Sequence, residues 1–125
     1  MIKSIAFFKR KPGIDLREFQ RQWREHHAPL VRQLPGIRRY IQSYAIDTVY
    51  RDQEAAFDGY AELWLDDFDA LKTMLKSPLF PGIKADETRF IDGSTMGAFV
   101  SSDTAPVARP LEPRGVKEVR LLKRL

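Results

Sequence analysis

The residues that most constrain the fold of this chain are Phe19, Trp23 and His27, which follow one another at steps of four. On a helix, residues four apart lie along one stripe, so this spacing predicts a helix with an aromatic face packed in a core. Asp15 is its predicted N-cap. Pro29 removes a backbone hydrogen bond, which predicts a kinked helix or two abutting helices. Because the stripe ends in an imidazole, His27 is either a candidate acid or base or a hydrogen-bonded core residue.

The order of the predicted elements indicates an α+β fold. Alternating or β-branched segments predict strands over residues 2–9, 37–50, 59–65 and 94–101, with a second helix between the last two. The order β-α-β-β-α-β is that of the ferredoxin-like unit, an antiparallel sheet with both helices on one face. The other face would carry large side chains. We therefore expect a homodimer in which two sheets close into a barrel-like sandwich, a dimeric α+β barrel.

The second predicted strand has a polar, aromatic face formed by Arg38, Tyr40, Gln42 and Tyr44. If this face is interior, these side chains need hydrogen-bond partners, which is more typical of a ligand cavity than of a dry core. If it is exterior, it needs no special explanation.

Composition excludes several classes of protein. A chain of 125 residues with 43% hydrophobic residues predicts a single domain. It has no cysteine, which excludes disulfides and thiolate chemistry and suits a reducing, cytoplasmic location. The sequence lacks an apolar run long enough for a signal peptide or a membrane span, so we expect a soluble protein without a membrane partner. Most of the net charge of +4 lies after residue 101, and the interspersed charges before it argue against nucleic-acid binding.

The last part of the chain, residues 102–125, is predicted to be separate from the domain formed by residues 1–101. It starts as a proline-containing linker. Its end, from Val116, repeats the pattern of residues 2–11, including Lys117 for Lys3 and Val119 for Ile5. This echo predicts a strand that docks on a sheet edge of its own or the partner subunit. A basic amphipathic helix is the alternative.

Three ordered blocks resemble the EthD family, named from ethyl tert-butyl ether degradation. They are F-x-x-x-W-x-x-x-H-A-P (19–29), L-P-G-I-R-R-Y (34–40) and D-G-Y-A-E-L-W (58–64). The resemblance covers about residues 2–101 and implies membership of the dimeric α+β barrel superfamily. The family's relatives include methylmuconolactone isomerases, polyketide cyclases and dehydratases, and proteins of unassigned role in degradation operons. Those with an assigned role work without a metal or an organic cofactor.

The resemblance also implies a site. In isomerase-like members a histidine of the H-A-P block and a tyrosine of the next strand line the pocket, and these correspond to His27 and Tyr40. Four aromatic side chains could form the walls around a flat ligand, and a carboxylate could make a buried polar contact nearby; these residues are Phe7, Trp23, Tyr44, Trp64 and Glu62. His26 is expected at the surface or an interface. Because adjacent side chains on a helix diverge by about 100°, His26 and His27 are not expected to chelate one ion, and no metal site is predicted.

These features predict a cofactor-independent enzyme that performs proton transfer on a small aromatic, lactone or polyketide-like substrate, by isomerisation, cyclisation or dehydration. Two alternatives stay open at this point. One is a non-catalytic protein that binds a hydrophobic metabolite, and the other is a cofactor-free oxygenase. The sequence does not identify the substrate or the reaction.

Overall fold

The sheet forms the centre of the molecule, as a computed structural model of residues 1–111 and 115–124 shows. Its strands are β1 (Ile2–Arg10), β2 (Arg39–Tyr44), β3 (Gly59–Leu65) and β4 (Ile91–Ser101). All neighbouring strands are antiparallel and the spatial order is β2-β3-β1-β4. The predicted ferredoxin-like α+β fold is therefore confirmed.

The helices occupy the two crossover connections. The first connection contains α1 (Leu16–Arg21), a π-helical segment (Gln22–His27) and α2 (Ala28–Val31), and the second contains α3 (Phe68–Leu75) and α4 (Phe80–Glu87). The prediction that the second strand continues to Tyr50 is wrong. Strand β2 ends at Tyr44, and Asp47–Tyr50 forms a 3-10 turn, which directs the Tyr50 hydroxyl to the buried Asp58.

The first helix is interrupted by a widened turn rather than by a proline kink. Asp15 caps it as predicted, accepting the Glu18 N–H at 2.8 Å. The backbone N–H of Ala28 then donates to the carbonyl of Trp23, five residues earlier, which is the π-helical pattern. Pro29 follows directly in α2, where it offers no N–H to the preceding turn. The sequence locates the break, but its form differs from the prediction.

A close approach between the first helix and the sheet depends on Gly59. A Cβ atom at this position would lie 2.8 Å from the Phe8 ring and 2.9 Å from the Trp23 ring. Phe8, Trp23 and the buried residues Phe19, Phe90 and Ile91 form one of two apolar clusters between helices and sheet. The second cluster joins α2, α3 and α4 to β3. The glycine of the D-G-Y block therefore serves packing.

Replacement of Gly59 by alanine is expected to lower the free energy of unfolding by about 1–3 kcal/mol, because the new methyl group overlaps two rigid rings. Chemical denaturation measures the change. Gly93→Ala is the matched control, since no atom lies within 4 Å of a Cβ built there. Equal stability of the two variants would show that the first helix can move away from the sheet at little cost.

The face of the sheet opposite the helices, here called the open face, is partly covered by the chain's own tail. The register places Phe7, Glu62 and Trp64 on this face, because β1 pairs Ile5 with Glu62 and Phe7 with Tyr60. Residues 115–124 form neither a helix nor a strand within this chain. They lie against the open face, and Lys117 donates to Glu62 at 3.4 Å. Docking of this segment as a strand on a partner subunit stays a prediction.

Among residues 1–111 and 115–124, the structure contains no helix that is both long and apolar enough to cross a bilayer.

Candidate active site

A buried histidine and a buried aspartate form a hydrogen-bonded pair between the first helix and α4. The Nδ1 atom of His27 lies 2.9 Å from an Asp86 carboxylate oxygen. His27 is only 4% exposed and Asp86 only 7%. The ring of Phe90 packs edge-on against the imidazole, with centroids 5.1 Å apart. The pair is thus held within the protein rather than in solvent.

This geometry selects one tautomer of His27. A carboxylate can only accept, so the Nδ1 atom must carry the proton that is donated to Asp86. In the neutral ring the Nε2 atom is then an acceptor. Among the described residues, Nε2 of His27 has no hydrogen-bond partner. A histidine fixed in this way by a carboxylate is arranged to accept a proton at Nε2.

Asp86 also contacts two groups nearer the surface. Its other oxygen lies 2.9 Å from Nδ1 of His26 and 3.7 Å from the Arg89 guanidinium. The side chain of His26 is half-exposed, and its Nε2 atom lies 3.5 Å from Arg89. The adjacent imidazoles therefore meet one carboxylate, because its two oxygens point toward different rings. Asp86 is oriented from both sides and has little freedom to leave His27.

A second hydrogen-bonded group, on the helix-facing side of β2, fixes Tyr40. The amide nitrogen of Gln42 donates to the Tyr40 hydroxyl oxygen at 2.8 Å and to the Trp23 carbonyl at 2.9 Å. The hydroxyl of Tyr44 donates to the Gln42 amide oxygen at 2.8 Å. The sequence left open whether this face is interior, and the structure shows that it is. Since Tyr40 accepts from Gln42, its own proton is available for a further acceptor.

Burial keeps the Tyr40 phenol protonated. Removal from water raises the pKa of Tyr40 to about 12, and the hydrogen bond from Gln42 only partly opposes this shift. At neutral pH the side chain is therefore a hydrogen-bond donor and not a base. The structure assigns complementary capacities to the two predicted residues, an acceptor at His27 and a donor at Tyr40.

The sequence model of the EthD domain matches residues 11–94, more than half of the chain. The chain belongs to the EthD family. The recognition made from the three sequence blocks is confirmed, and no curated protein matches the chain.

Solved structures agree with the EthD fold. An ethyl tert-butyl ether degradation family protein from Bacillus halodurans C-125 aligns with a TM-score of 0.68 and 23% identity, over 83% of this chain and 99% of that chain. SnoaB, a cofactor-independent oxygenase from Streptomyces nogalater, aligns with a TM-score of 0.61 and 17% identity, over 85% and 97%. A dimeric protein of unknown function with a ferredoxin-like fold, from Bacteroides fragilis, aligns with a TM-score of 0.61 and 11% identity, over 82% and 95%. These likenesses establish the fold.

The predicted site residues of this EthD domain lie on two sides of the sheet. Those on the helix side are His27, Trp23, Tyr40 and Tyr44, where the Trp23 and Tyr44 rings meet at 4.8 Å between centroids. Those on the open face are Phe7, Glu62 and Trp64. Residues on opposite faces of one sheet cannot surround one small ligand. The structure therefore places four of the seven on the helix side of the sheet, where Gln42 links Trp23 to Tyr40, and a role for the other three requires a separate site.

Asp86 is the polar partner that sequence reasoning missed in the EthD domain, whereas Gln42 was placed on the face of Tyr40 without a role in the site. Ile83, Asp86 and Phe90 follow at helical spacing, and all three are buried. A carboxylate on an apolar helix face is a signal of a buried partner. Pro81 and Gly82 obscure this signal, because both residues usually mark turns although here they lie within α4.

Within residues 1–111 and 115–124, no group of three or more His, Cys, Asp or Glu side chains is arranged to hold a metal ion. The independence of this EthD domain from metals and cofactors stays a prediction.

The tyrosines offer a direct test of the buried geometry. The pKa of each of the four, Tyr40, Tyr44, Tyr50 and Tyr60, is raised above 10.0, with burial as the first cause. At about pH 10.5 the native protein should therefore show much less phenolate absorbance than the chain in denaturant. The unfolded chain releases these protons at a lower pH than the native protein does. The contribution of the buried phenols to the free energy of unfolding is therefore fully present below pH 10 and is lost as the pH rises toward about 12. Equal phenolate fractions in the two states would contradict this burial.

Proposed function

We propose that this EthD-family protein is a proton-transfer enzyme for a small aromatic, lactone or polyketide-like substrate. The observation that carries the proposal is the buried hydrogen bond from His27 to Asp86, which leaves Nε2 of His27 as an acceptor. In this mechanism Nε2 removes a proton beside a substrate carbonyl. The Tyr40 hydroxyl donates to the oxygen on which negative charge develops, which is the general role of a preorganised donor.

Each side chain in the mechanism has a defined support. Asp86 holds the His27 tautomer and stabilises the imidazolium that forms on proton transfer. Gln42 holds the Tyr40 hydroxyl in place by donating a hydrogen bond to its oxygen. The reactions that suit such a pair are isomerisation, ring closure and dehydration, in which the proton returns to substrate or leaves with water.

A panel of lactones, anthrones and β-polyketones tests the proposal. We expect at least one compound to be turned over by the wild-type protein and to bind His27→Ala without turnover. Binding of compounds with no turnover by any form would contradict the enzyme and favour the alternative of a metabolite-binding protein.

A cofactor-free oxygenase is the second candidate, and the fold likeness to SnoaB favours it. In that case His27 would deprotonate an electron-rich substrate, which would then react with molecular oxygen. Oxygen consumption that matches turnover in amount distinguishes this reaction from isomerisation, cyclisation and dehydration, none of which consumes oxygen.

We also propose a homodimer formed through the open faces of two sheets. The support is the apolar side chain of Phe99, which is 47% exposed next to Ile5 on this face. The dimeric state of the Bacteroides fragilis protein agrees with the proposal. Sedimentation at several protein concentrations tests it, and a mass of one chain at all of them would exclude the dimer.

A further inference from the structure

The hydroxyl of Tyr44 is the first group in a chain of hydrogen bonds that ends at Tyr40. It donates to the Gln42 amide oxygen at 2.8 Å, and the Gln42 amide nitrogen donates to the Tyr40 oxygen at 2.8 Å. The three residues occupy alternate positions of β2, so their side chains leave the strand on the same face. Tyr44 is therefore connected to Tyr40 through the amide that lies between them.

The backbone carbonyl of Trp23 determines which end of the Gln42 amide faces Tyr40. A carbonyl oxygen only accepts, so the group that lies 2.9 Å from it must be the amide nitrogen. The second proton of this nitrogen is directed at the Tyr40 oxygen. The amide oxygen then faces Tyr44, from which it accepts. The direction of every hydrogen bond in the chain follows from these contacts, and it leaves the Tyr40 proton available.

The same carbonyl belongs to the widened turn that precedes α2. It accepts from the backbone N–H of Ala28, five residues later, as well as from Gln42. A carbonyl oxygen has two lone pairs, so it can accept both bonds. Gln42 thus joins β2 to the π-helical segment that carries His27. The proton acceptor at His27 and the proton donor at Tyr40 are positioned relative to each other through this link.

The hydroxyl of Tyr44 holds the amide in this orientation. Burial raises the pKa of the Tyr44 phenol, so at neutral pH it stays protonated and can donate. Without this hydroxyl, the Gln42 amide oxygen would lose its donor in a part-buried position, which is unfavourable. The Tyr40 hydroxyl, already in contact with the amide, is the donor beside it. A turn of the amide toward that hydroxyl would consume the proton that Tyr40 offers to a substrate.

We propose that Tyr44 is a positioning residue for the proton-transfer reaction, because it fixes the Gln42 amide so that Tyr40 remains a donor to the substrate. This role rests on the proposed function and deepens it. It differs from the sequence-based prediction that Tyr44 forms a wall of the pocket. A wall residue acts through its ring on substrate binding, whereas a positioning residue acts through its hydroxyl on kcat.

Exchange of the Gln42 side-chain amide protons with water tests the positioning role without a substrate. Nuclear magnetic resonance spectra of the nitrogen-labelled full chain contain these signals, and Gln42→Met identifies them by their absence. We expect slow exchange in the wild type, because both protons are hydrogen-bonded. In Tyr44→Phe the exchange should be at least about tenfold faster, since the amide loses its fixed orientation. Tyr50→Phe is the matched control and should keep slow exchange, because its hydroxyl donates to Asp58.

Kinetics on a compound that the wild type turns over tests whether this orientation matters for the reaction. Tyr44→Phe should lower kcat about tenfold and leave KM within about twofold, because the ring is kept and only the donor at Tyr40 is disturbed. In the Gln42→Met background the same substitution should lower kcat no further, since the two residues act as one unit.

The outcomes separate this proposal from the proposed function. Exchange in Tyr44→Phe as slow as in the wild type would overturn the positioning role. Equally fast exchange in Tyr50→Phe would also overturn it, because the effect would then come from lost stability. Wild-type kcat in Tyr44→Phe, or a further loss of kcat in the Gln42→Met background, would overturn it as well. Absence of turnover by the wild type would contradict the proposed function, whereas the exchange rates would still show whether Tyr44 holds the amide.

Discussion

The His27→Ala variant is expected to lower kcat about 10²- to 10⁴-fold on any compound that the wild-type protein turns over, because the proton acceptor is lost. Substrate affinity should change much less, since the aromatic residues around the site remain. Asp86→Asn is the more informative variant. An asparagine can donate to Nδ1, which would favour the wrong tautomer and should cost kcat by a similar factor while His27 stays in place.

Steady-state kinetics with a binding measurement checks this prediction. Asp69→Asn is the matched control, because the Asp69 side chain is 92% exposed on α3 and lies 4.0 Å from Lys72. It should keep wild-type kinetics. Wild-type kcat in Asp86→Asn would contradict the tautomer argument, even if His27→Ala were inactive. Wild-type kcat in His27→Ala would contradict the mechanism as a whole.

The largest effect on stability is expected from Asp58→Ala, with a loss of about 3 kcal/mol in the free energy of unfolding. Asp58 is 0% exposed. Its carboxylate accepts from the backbone N–H of Arg10 at 2.8 Å, from the Arg10 guanidinium at 2.9 Å and from the Tyr50 hydroxyl at 2.7 Å. Removing it leaves these donors without their acceptor. Removing one partner of a buried ion pair costs about 3–5 kcal/mol. We expect the lower end of this range, because Arg10 also binds Glu54 near the surface.

Urea unfolding of three variants tests the role of Asp58. Tyr50→Phe removes only one donor and should cost about 1 kcal/mol. Asp52→Ala, in the same connection but exposed, should change stability by less than about 0.5 kcal/mol. If Asp58→Ala were no less stable than Asp52→Ala, the carboxylate would not anchor the connection between β2 and β3.

The sequence predicted the parts of this protein that depend on local periodicity. The alternation in residues 59–65 and the four-residue spacing from Phe19 to His27 correspond directly to β3 and the first helix. The polar partners could not be predicted in the same way. The pairing of Asp86 with His27 depends on how α4 packs against the first helix, and no local pattern encodes that distance. Asp58 precedes a glycine, and Asp-Gly is a common turn sequence, so the local pattern does not indicate that this carboxylate is a buried anchor.

Local sequence patterns were also insufficient to assign every site residue to one face of the sheet. Strand alternation correctly grouped Tyr40 with Gln42 and Tyr44. It could not show that Phe7, Glu62 and Trp64 belong to the other side, because that requires the register between strands. The form of the helix break could not be predicted either. A proline predicts that a helix is disturbed but does not specify a π-helical turn.

The π-helical segment acts as an angular offset between two halves of one helix. One extra residue in a turn rotates all later side chains by about 100° relative to an uninterrupted α-helix. The direction in which His27 points is therefore set by the length of the chain before it. Single substitutions in residues 22–27 leave that length unchanged, whereas deletion of one residue there would turn the imidazole away from Asp86 even though every side chain of the site would still be present.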